Sequence, residues 1–465
     1  MKTKIIAAIL LAAIIFSAVA CSENHNGETE SGSESEKEIS DSGSCYPYEE
    51  QTEDFGGYTF LILTEDEDEK YWANPLIVPD GYNSDLVNDA MYVRNLYVEK
   101  LFNIKIEDVE VSEDDIHDYA LKAVMSSDDI YDLIMYPVDT VSAAISEDYL
   151  VDLQSIPEIH LDEEWWDSNT VEEGTINGKL FFATGDLCLF PFEASWVLYF
   201  NEEIMQNLKL EMPYSLGREG RWTVDRLFEY CIAAADLNGD GETVGLGSHS
   251  QVYQALLYGC DEDFISYSDG LPEFDDGGER LINAANKIAD LICTDGAFTE
   301  SGMDAFREGK FLFYGETLGW IDGLRSFEPL GVMPFPKYDE NQSDYKSMVA
   351  TWGTLLTVIP TTKAEVYRTG AITDRLAYES HYRLLEPYYD KYLTQKGARN
   401  EDSAEMLEII RRTRSVNIGR LFGWTGSICS SICNTMQKEN RDFSSKIEAG
   451  RRSVTRLIER TLGRF

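Results

Sequence analysis

The sequence predicts an α/β protein with two large lobes, and three observations support this prediction. Apolar and aromatic residues in Tyr58–Leu63 indicate a strand, helical spacing follows in Leu86–Phe102, and Asn103–Val109 returns to strand-like alternation. The same order recurs, with a helical pattern in Asp118–Met125 and a strand pattern in Tyr131–Tyr136. The chain of 465 residues is also too long for one small core, which favours two lobes. Strands that alternate with helices are typical of a mainly parallel sheet.

The composition predicts a folded and strongly acidic protein. The chain has 84 acidic and 39 basic residues, and its net charge of -45 argues against a nucleic-acid partner because phosphates would be repelled. Its 26 Tyr and 8 Trp are more aromatic residues than a disordered chain holds, and they indicate an aromatic-rich surface or pocket. We therefore expect a globular protein that binds no nucleic acid and acts as a monomer.

The first 20 residues have the layout of a signal peptide. Lys2 and Lys4 precede an apolar run, and small residues come before Cys21. The run Ser17–Cys21 resembles a lipoprotein signal site, in which the Cys carries the lipid and becomes the first residue of the mature protein. An ordinary secretory cleavage is the alternative. Residues 21–55 are acidic and poor in apolar side chains, which predicts a flexible linker between a lipid anchor and a folded body.

The stretch Gly331–Pro360 carries a resemblance to a known family. Two apolar runs, Val332–Phe335 and Leu355–Pro360, indicate strands, and a long polar segment separates them. The loop Pro-Phe-Pro-Lys-Tyr-Asp-Glu-Asn-Gln, followed by Asp-Tyr, resembles a segment of the extracellular solute-binding proteins of ABC importers, in the sugar-type family 1. Gly220–Asp225 and Asp304–Phe313 resemble further motifs of that family, and in the first of them Trp222 is expected to anchor a loop and Thr223 to cap the following helix. Asn201 is the expected cap of an earlier helix, and the adjacent Trp165 and Trp166 are expected mainly to pack in the core, with ligand stacking as the alternative.

The resemblance implies a two-lobed periplasmic-binding-protein-like fold of type II, in which the chain crosses between the lobes near residues 178, 350 and 415. The implied domains are a signal peptide (1–20), a linker (21–55), a first lobe (56–178 and 350–414) and a second lobe (179–349 and 415–465). It also implies a lipid-anchored substrate-binding protein on the outer face of the cell membrane. Such a protein captures a carbohydrate in the cleft between the lobes and delivers it to permease subunits.

Enzymatic activity is not expected from the motifs. The five His residues are scattered, and the sequence has no His-Glu-x-x-His, Gly-x-Ser-x-Gly or P-loop pattern. A secreted, surface-bound glycoside hydrolase is an alternative, because among 84 carboxylates a catalytic pair cannot be recognised from sequence. A surface receptor that does not transport, and that binds a peptide or a cell-wall fragment, is a third hypothesis.

The resemblance and the predicted strand ends give eight candidate ligand-binding residues. In the maltodextrin-binding branch of the family, a strand ends in an aromatic residue that stacks on sugar, and an Asp follows three residues later. Tyr136 and Asp139 hold these places. The other six lie at predicted strand ends or crossings, namely Glu65, Glu193, Trp196, Glu316, Trp320 and Trp352. For the aromatic residues and Glu193, a structural role in the core is the alternative.

No cofactor is expected, with calcium as the one candidate. Asp236, Asn238 and Asp240 occupy the first, third and fifth places of a calcium-loop pattern, and Gly241 occupies the sixth. The twelfth place holds Gly247 instead of the Glu that would complete the coordination. A simple turn is therefore the alternative to a calcium site.

Overall fold

The computed structural model describes residues 53–66, 76–235, 243–324, 327, 330–352, 354–395, 398, 399, 401–463 and 465. From residue 52 onward the chain forms one compact unit. The predicted signal peptide, the lipid-anchor residue Cys21 and almost all of the linker lie outside the described residues, as do the calcium candidates Asp236, Asn238 and Asp240. No described helix is both long and apolar enough to cross a membrane.

Helices and strands alternate along most of the described chain. The strands are β1 (Tyr58–Glu65), β2 (Ile104–Val111), β3 (Leu133–Pro137), β4 (Trp196–Asn201), β5 (Val244–Ser248), β6 (Ile265–Ser268), β7 (Leu271–Phe274), β8 (Phe298–Glu300), β9 (Phe311–Thr317), β10 (Leu330–Pro334), β11 (Ser347–Val349), β12 (Leu355–Val358), β13 (Thr394–Gln395), β14 (Ala398–Arg399) and β15 (Arg414–Val416). The α-helices are α1 (Leu86–Phe102), α2 (Glu113–Met125), α3 (Val138–Ser146), α4 (Ser168–Gly174), α5 (Phe190–Glu193), α6 (Glu202–Leu208), α7 (Tyr214–Arg218), α8 (Val224–Ala234), α9 (Val252–Gly259), α10 (Gly278–Cys293), α11 (Met303–Arg307), α12 (Val366–Leu393), α13 (Glu401–Thr413), α14 (Ile418–Leu421), α15 (Gly426–Met436) and α16 (Phe443–Leu462). Short 3-10 helices cover Leu153–Ser155 and Leu318–Leu324.

The first sheet has the strand order β12-β3-β1-β2. β1 runs parallel to β2 and β3, and β12 is antiparallel to β3. Ile62, Leu63 and Leu133 are fully buried in this sheet, and α2 packs against β1 and β3. α1 begins where the Asp85 carboxylate accepts hydrogen bonds from the first helical N–H groups, which would otherwise lack partners.

The second sheet has the strand order β10-β4-β9-β5-β8. β4 is antiparallel to both neighbours, whereas β5 is parallel to β8 and β9. Trp222 is fully buried, and its indole N–H donates to the Pro334 carbonyl at 3.0 Å, which confirms its predicted role as a loop anchor. The predicted caps are also confirmed, since Asn201 accepts from a backbone N–H of α6 and Thr223 accepts from one of α8.

Three chain segments lie side by side between the two sheets and are termed the connecting segments. Ser195 forms an antiparallel bridge with Val349 of β11, and β11 pairs in parallel with β15. The Ala350 N–H donates to the Ala194 carbonyl at 2.9 Å. The chain thus passes from the first sheet into β4, and later from β10 through β11 into β12, along one shared set of backbone hydrogen bonds.

Two segments contact a different sheet from the one that the predicted domain boundaries imply. Ala183, predicted to lie in the second lobe, exchanges backbone hydrogen bonds with Thr357 of the first sheet. α13, predicted to lie in the first lobe, packs against β10 and α7 beside the second sheet, and Ser403 hydrogen-bonds Tyr214 at 2.9 Å. Sequence patterns identify elements but carry little information about which sheet a connecting element packs against. The boundaries themselves stay a prediction.

A buried ion network joins the start of β15 to the segment that precedes β4. The Arg414 guanidinium lies 3.0 Å from Asp186 and 3.5 Å from Asp167, and all three side chains are buried. Asp186 also contacts His381 at 2.7 Å and Arg411 at 3.2 Å. Burial alone would raise the pKa of Asp186, but the His381 hydrogen bond and the two guanidinium charges outweigh it and hold this pKa at about 2. The charged form of Asp186 is therefore strongly favoured in the folded protein.

We predict that Arg414→Met lowers the free energy of unfolding by ~3–5 kcal/mol, because two buried carboxylates lose the cation that lies between them. Chemical denaturation of both proteins measures this difference. The matched control is Arg218→Met, whose guanidinium pairs with Asp402 and Glu405 on the surface and should cost less than ~1 kcal/mol. Equal losses in the two variants would contradict the importance given to the buried network.

Asp374 of α12 holds a second buried cluster together. Its carboxylate accepts from the indole N–H groups of Trp165 and Trp166, at 3.0 and 2.7 Å, and contacts the His160 Nδ1 at 2.6 Å. Both Trp side chains are buried, which confirms the expectation that this pair packs in the core. The hydrogen bond to Asp374 raises the pKa of His160, and the partial burial of the imidazole opposes this effect.

A pH dependence follows from the raised pKa of His160. Because the folded protein holds the proton more tightly than the unfolded chain, the stabilisation is fully present below about pH 6.5 and is lost as the pH rises through the folded pKa. We predict that His160→Gln loses more stability at about pH 5.5 than at about pH 8.5. Urea denaturation of parent and variant at both pH values checks this, and a loss that is larger at the higher pH would contradict the pKa assignment.

Candidate functional site

A small cavity lies beside the paired connecting segments. It has a volume of ≈ 20 Å³, which is room for about one water molecule. Residues from β4, from α9, from the segment between β11 and β12, and from α14 line it. The side chains that line it include Trp196, Gln251, Gln254, Thr351, Trp352 and Arg420. The cavity is therefore built from residues that lie far apart in the chain.

Trp196 is held rigidly at the start of β4. It pairs with Thr317 of β9, and its fully buried ring makes edge contacts with His249 and Phe335, with ring centroids 5.1 and 6.1 Å apart. Among the residues that the structure describes, the indole N–H of Trp196 has no hydrogen-bond acceptor. A buried donor without a partner costs free energy, so it marks a place where a ligand or a water can bind favourably.

Trp352 approaches the cavity from the segment that leads into the first sheet. The backbone there is fixed by the Ala350–Ala194 hydrogen bond and by the Thr354 hydroxyl, which donates to the Ala350 carbonyl at 2.5 Å. The side chain of Trp352 is half-buried, and Thr351 beside it is buried. Two of the predicted ligand-binding aromatic residues, Trp196 and Trp352, are therefore brought to one cavity.

Arg420 supplies a positive charge to the same cavity. The side chain of Asn417 accepts a hydrogen bond from the Arg420 backbone N–H and so begins α14. The Arg420 guanidinium donates to the Gln254 side-chain oxygen, and no carboxylate in the described part of the chain lies within ion-pair distance of it. Asp139 lies near enough to feel its charge. Burial and Glu113 raise the pKa of Asp139, and Arg420 partly counteracts them.

Glu316 is connected to this site through His249. Its carboxylate accepts from the Thr317 backbone N–H at 2.9 Å, and its other oxygen lies 3.3 Å from His249 Nε2. His249 in turn contacts the Trp196 ring. The predicted residue Glu316 therefore orients a neighbour of Trp196, and it does not line the cavity itself.

The remaining predicted residues lie elsewhere. Tyr136 is buried within the first sheet, and its hydroxyl is hydrogen-bonded to His117 of α2. Glu65 and Glu193 are buried near Cys188, whose pKa rises to about 12 through burial and through the charges of both carboxylates. Trp320 is half-buried in the 3-10 helix and does not line the cavity. The ligand-binding roles of all eight residues stay predictions.

Sequence reasoning missed four polar residues of the site: His249, Gln251, Gln254 and Arg420. His249 and Gln251 directly follow β5, which is parallel to its neighbours, and the carboxyl ends of such strands are the usual places for ligand contacts. That rule could have identified them. Gln254 lies on α9 and Arg420 on α14, and only the tertiary contact between these two helices places the side chains together.

A larger groove of ≈ 650 Å³ lies near the amino ends of β11 and β15. Its Lys346 ammonium is ion-paired with Glu173, Asp261 and Asp263 at 3.0 to 3.1 Å. The Lys346 ammonium occupies the position between these three carboxylates, so they do not surround an open site for a bound cation. No group of three His, Cys, Asp or Glu side chains in the described part of the chain could hold a metal ion.

Comparison with known proteins identifies the family. The sequence profile of the bacterial extracellular solute-binding proteins matches residues 97–371, which is more than half of the chain, and the chain belongs to this family. No curated protein matches the chain. The predicted family is thereby confirmed.

Solved structures of low sequence identity share the fold. A cyclo/maltodextrin-binding protein complexed with maltotetraose is 13% identical, with 87% of this chain and 97% of that chain covered and a TM-score of 0.57. The cyclic alpha-maltosyl-1,6-maltose binding protein from Arthrobacter globiformis is 14% identical, with 87% and 100% covered and a TM-score of 0.59. An extracellular solute-binding protein from Staphylococcus aureus in complex with maltose is 11% identical, with 86% and 98% covered and a TM-score of 0.56. The predicted α/β periplasmic-binding-protein-like fold is confirmed, and the number of crossings stays a prediction.

Proposed function

We propose that this protein is the substrate-binding protein of an ABC importer and captures a carbohydrate between its two sheets. Cys21 would carry the lipid that holds the protein at the outer face of the membrane, and a membrane permease would receive the sugar. The protein would act as a monomer and without catalysis. The observation that carries the proposal is the cavity in which Trp196 and Trp352 meet amide and guanidinium groups.

Sugar chemistry fits this combination of groups. The C–H faces of a pyranose pack on aromatic rings, while its hydroxyl groups need hydrogen-bond donors and acceptors at fixed positions. Trp196 and Trp352 offer the rings, and Gln251, Gln254 and Arg420 offer the polar groups. The sugar complexes named for two of the similar structures add support for the class of ligand.

Entry of a sugar requires the two sides of the cavity to separate. A volume of ≈ 20 Å³ cannot hold a pyranose ring, so a sugar can bind only when the two sides of the cavity lie farther apart than in the structure described here. The short pairings of Ser195, β11 and β15 are where the backbone could bend, because they are the connections between the two sheets. Hinge closure around a ligand is the motion known for such two-lobed receptors.

We predict that Trp352→Ala weakens carbohydrate binding by ~1–3 kcal/mol, because a stacking ring is lost from a site that excludes water. Titration calorimetry of the full chain with a panel of maltose, maltotetraose, cellobiose, xylobiose and galacturonic-acid oligosaccharides identifies the ligand and measures the loss. Heat without new products would exclude a hydrolase.

Trp222→Ala is the matched control for this experiment. Its ring is fully buried and its indole N–H anchors a loop by donating to the Pro334 carbonyl, so the variant should lose stability and keep its affinity per folded molecule. If Trp352→Ala binds as tightly as the parent while Trp222→Ala weakens binding, the site is misplaced. If no glycan binds the parent, the proposed ligand class is wrong.

The lipid anchor has a separate test. Cys21→Ser removes the only thiol that could accept the lipid at the predicted cleavage site, so the protein should leave the membrane fraction for the medium or remain uncleaved. Cell fractionation and the mass of the mature N-terminus measure this. Normal cleavage together with unchanged membrane retention would argue against lipidation.

A further inference from the structure

Hydrogen-bond donors predominate among the side chains that line the cavity. Arg420 can only donate, so the Gln254 group that it contacts is the carbonyl oxygen, and this leaves the Gln254 NH2 group free to donate elsewhere. The Trp196 indole N–H is fully buried and has no acceptor among the described residues. Three donor groups from three different elements therefore line one cavity, and no carboxylate in the described part of the chain lines it.

Carboxylates near the cavity are committed to other partners. Glu316 accepts from a backbone N–H and contacts His249, Glu262 is paired with Arg280 at 2.7 Å, and Asp263 is paired with Lys346 at 3.0 Å. Asp139 interacts electrostatically with Arg420 without forming an ion pair, and it is exposed. None of the described carboxylates is within 4.0 Å of Arg420.

Arg420 differs in this respect from the other Arg residues around the connecting segments. Arg411, Arg412 and Arg414 each pair with a carboxylate of the chain. In a protein of net charge -45, a half-buried guanidinium that has only an amide as its partner retains most of its donors for another acceptor. A ligand carboxylate fits this requirement, because its two oxygens offer about four acceptor sites and match the planar fork of a guanidinium.

We propose that the carbohydrate bound by this protein is acidic, a uronic-acid-type glycan whose carboxylate is held by Arg420, Gln254 and the Trp196 N–H while a neighbouring pyranose ring packs on Trp352. This inference rests on the proposed function. The overall negative charge of the protein slows the approach of such a ligand but does not decide its affinity, because salt screens charges beyond ~8 Å whereas the cavity groups act in contact.

The test compares acidic glycans with neutral partners of the same size. Calorimetry of the full chain uses trigalacturonic acid against galactotriose, and cellobiouronic acid against cellobiose. We expect at least one acidic member to bind about 10- to 100-fold more tightly than its neutral partner, the range given by one charge-assisted contact. Neutral members that bind as tightly as the acidic ones in every pair overturn the inference and leave the proposed function standing. Absence of binding by all glycans overturns both.

Substitutions of Arg420 test whether this side chain causes the preference for acidic over neutral glycans. Arg420→Met should remove the preference for the acidic member, so that the acidic and neutral members of a pair bind about equally tightly, and Arg420→Lys should restore part of the preference. The control is Arg412→Met, which changes the net charge equally but removes an exposed guanidinium that pairs with Asp344. A preference that survives Arg420→Met, or that Arg412→Met removes equally, contradicts the assignment.

Asp139→Asn provides a second variant that does not depend on the stability of the Arg420 variants. Because it removes a negative charge that interacts with the guanidinium, the ratio of acidic to neutral affinity should rise severalfold. The melting temperature of each variant verifies its folding. An unchanged or lower ratio in folded Asp139→Asn contradicts a carboxylate site at Arg420.

Discussion

The buried contact of Arg414 with Asp186 and Asp167 is the constraint on which the rest of the structure depends. It fixes the start of β15 against the segment that leads into β4, and β11 lies paired beside β15. Removing one partner would leave charge buried without compensation, so the three connecting segments are held in register. The cavity residues follow directly from these segments: Trp196 after the first, Trp352 after the second and Arg420 after the third. The geometry of the site is therefore set by the connections and only secondarily by the sheets.

Much of the fold could be predicted from the sequence because local patterns determine it. Strand and helix periodicity located β1, α1 and β3, and turn and cap chemistry identified the roles of Asn201 and Trp222. The sheet against which a connecting element packs could not be predicted from such local patterns. Ala183 bonds to the first sheet through a single backbone bridge, and α13 reaches β10 through packing. Such contacts join residues far apart in the chain, and no local pattern records them.

Only part of the candidate site could be predicted from the sequence, for the same reason. Trp196 and Trp352 were identified because they lie where strands begin or crossings occur. Tyr136 satisfied the same pattern, yet its hydroxyl bonds His117 inside the first lobe. Sequence position alone does not tell toward which face of a sheet a strand-end side chain points. Arg420 and Gln254 could not be predicted, because they come together only where two helices meet. That the Arg420 guanidinium has an amide and no carboxylate as its partner is visible only in the structure.

The central claim is that a glycan closes the two sheets over Trp196 and Trp352. The most direct measurement is the distance between spin labels at exposed Met125, on α2 beside the first sheet, and exposed Ile232, on α8 beside the second sheet. Electron–electron resonance should give a shorter and narrower distance distribution when the tightest-binding glycan of the panel saturates the protein, and Trp352→Ala should reduce this response. An identical distribution with and without saturating glycan would contradict the claim.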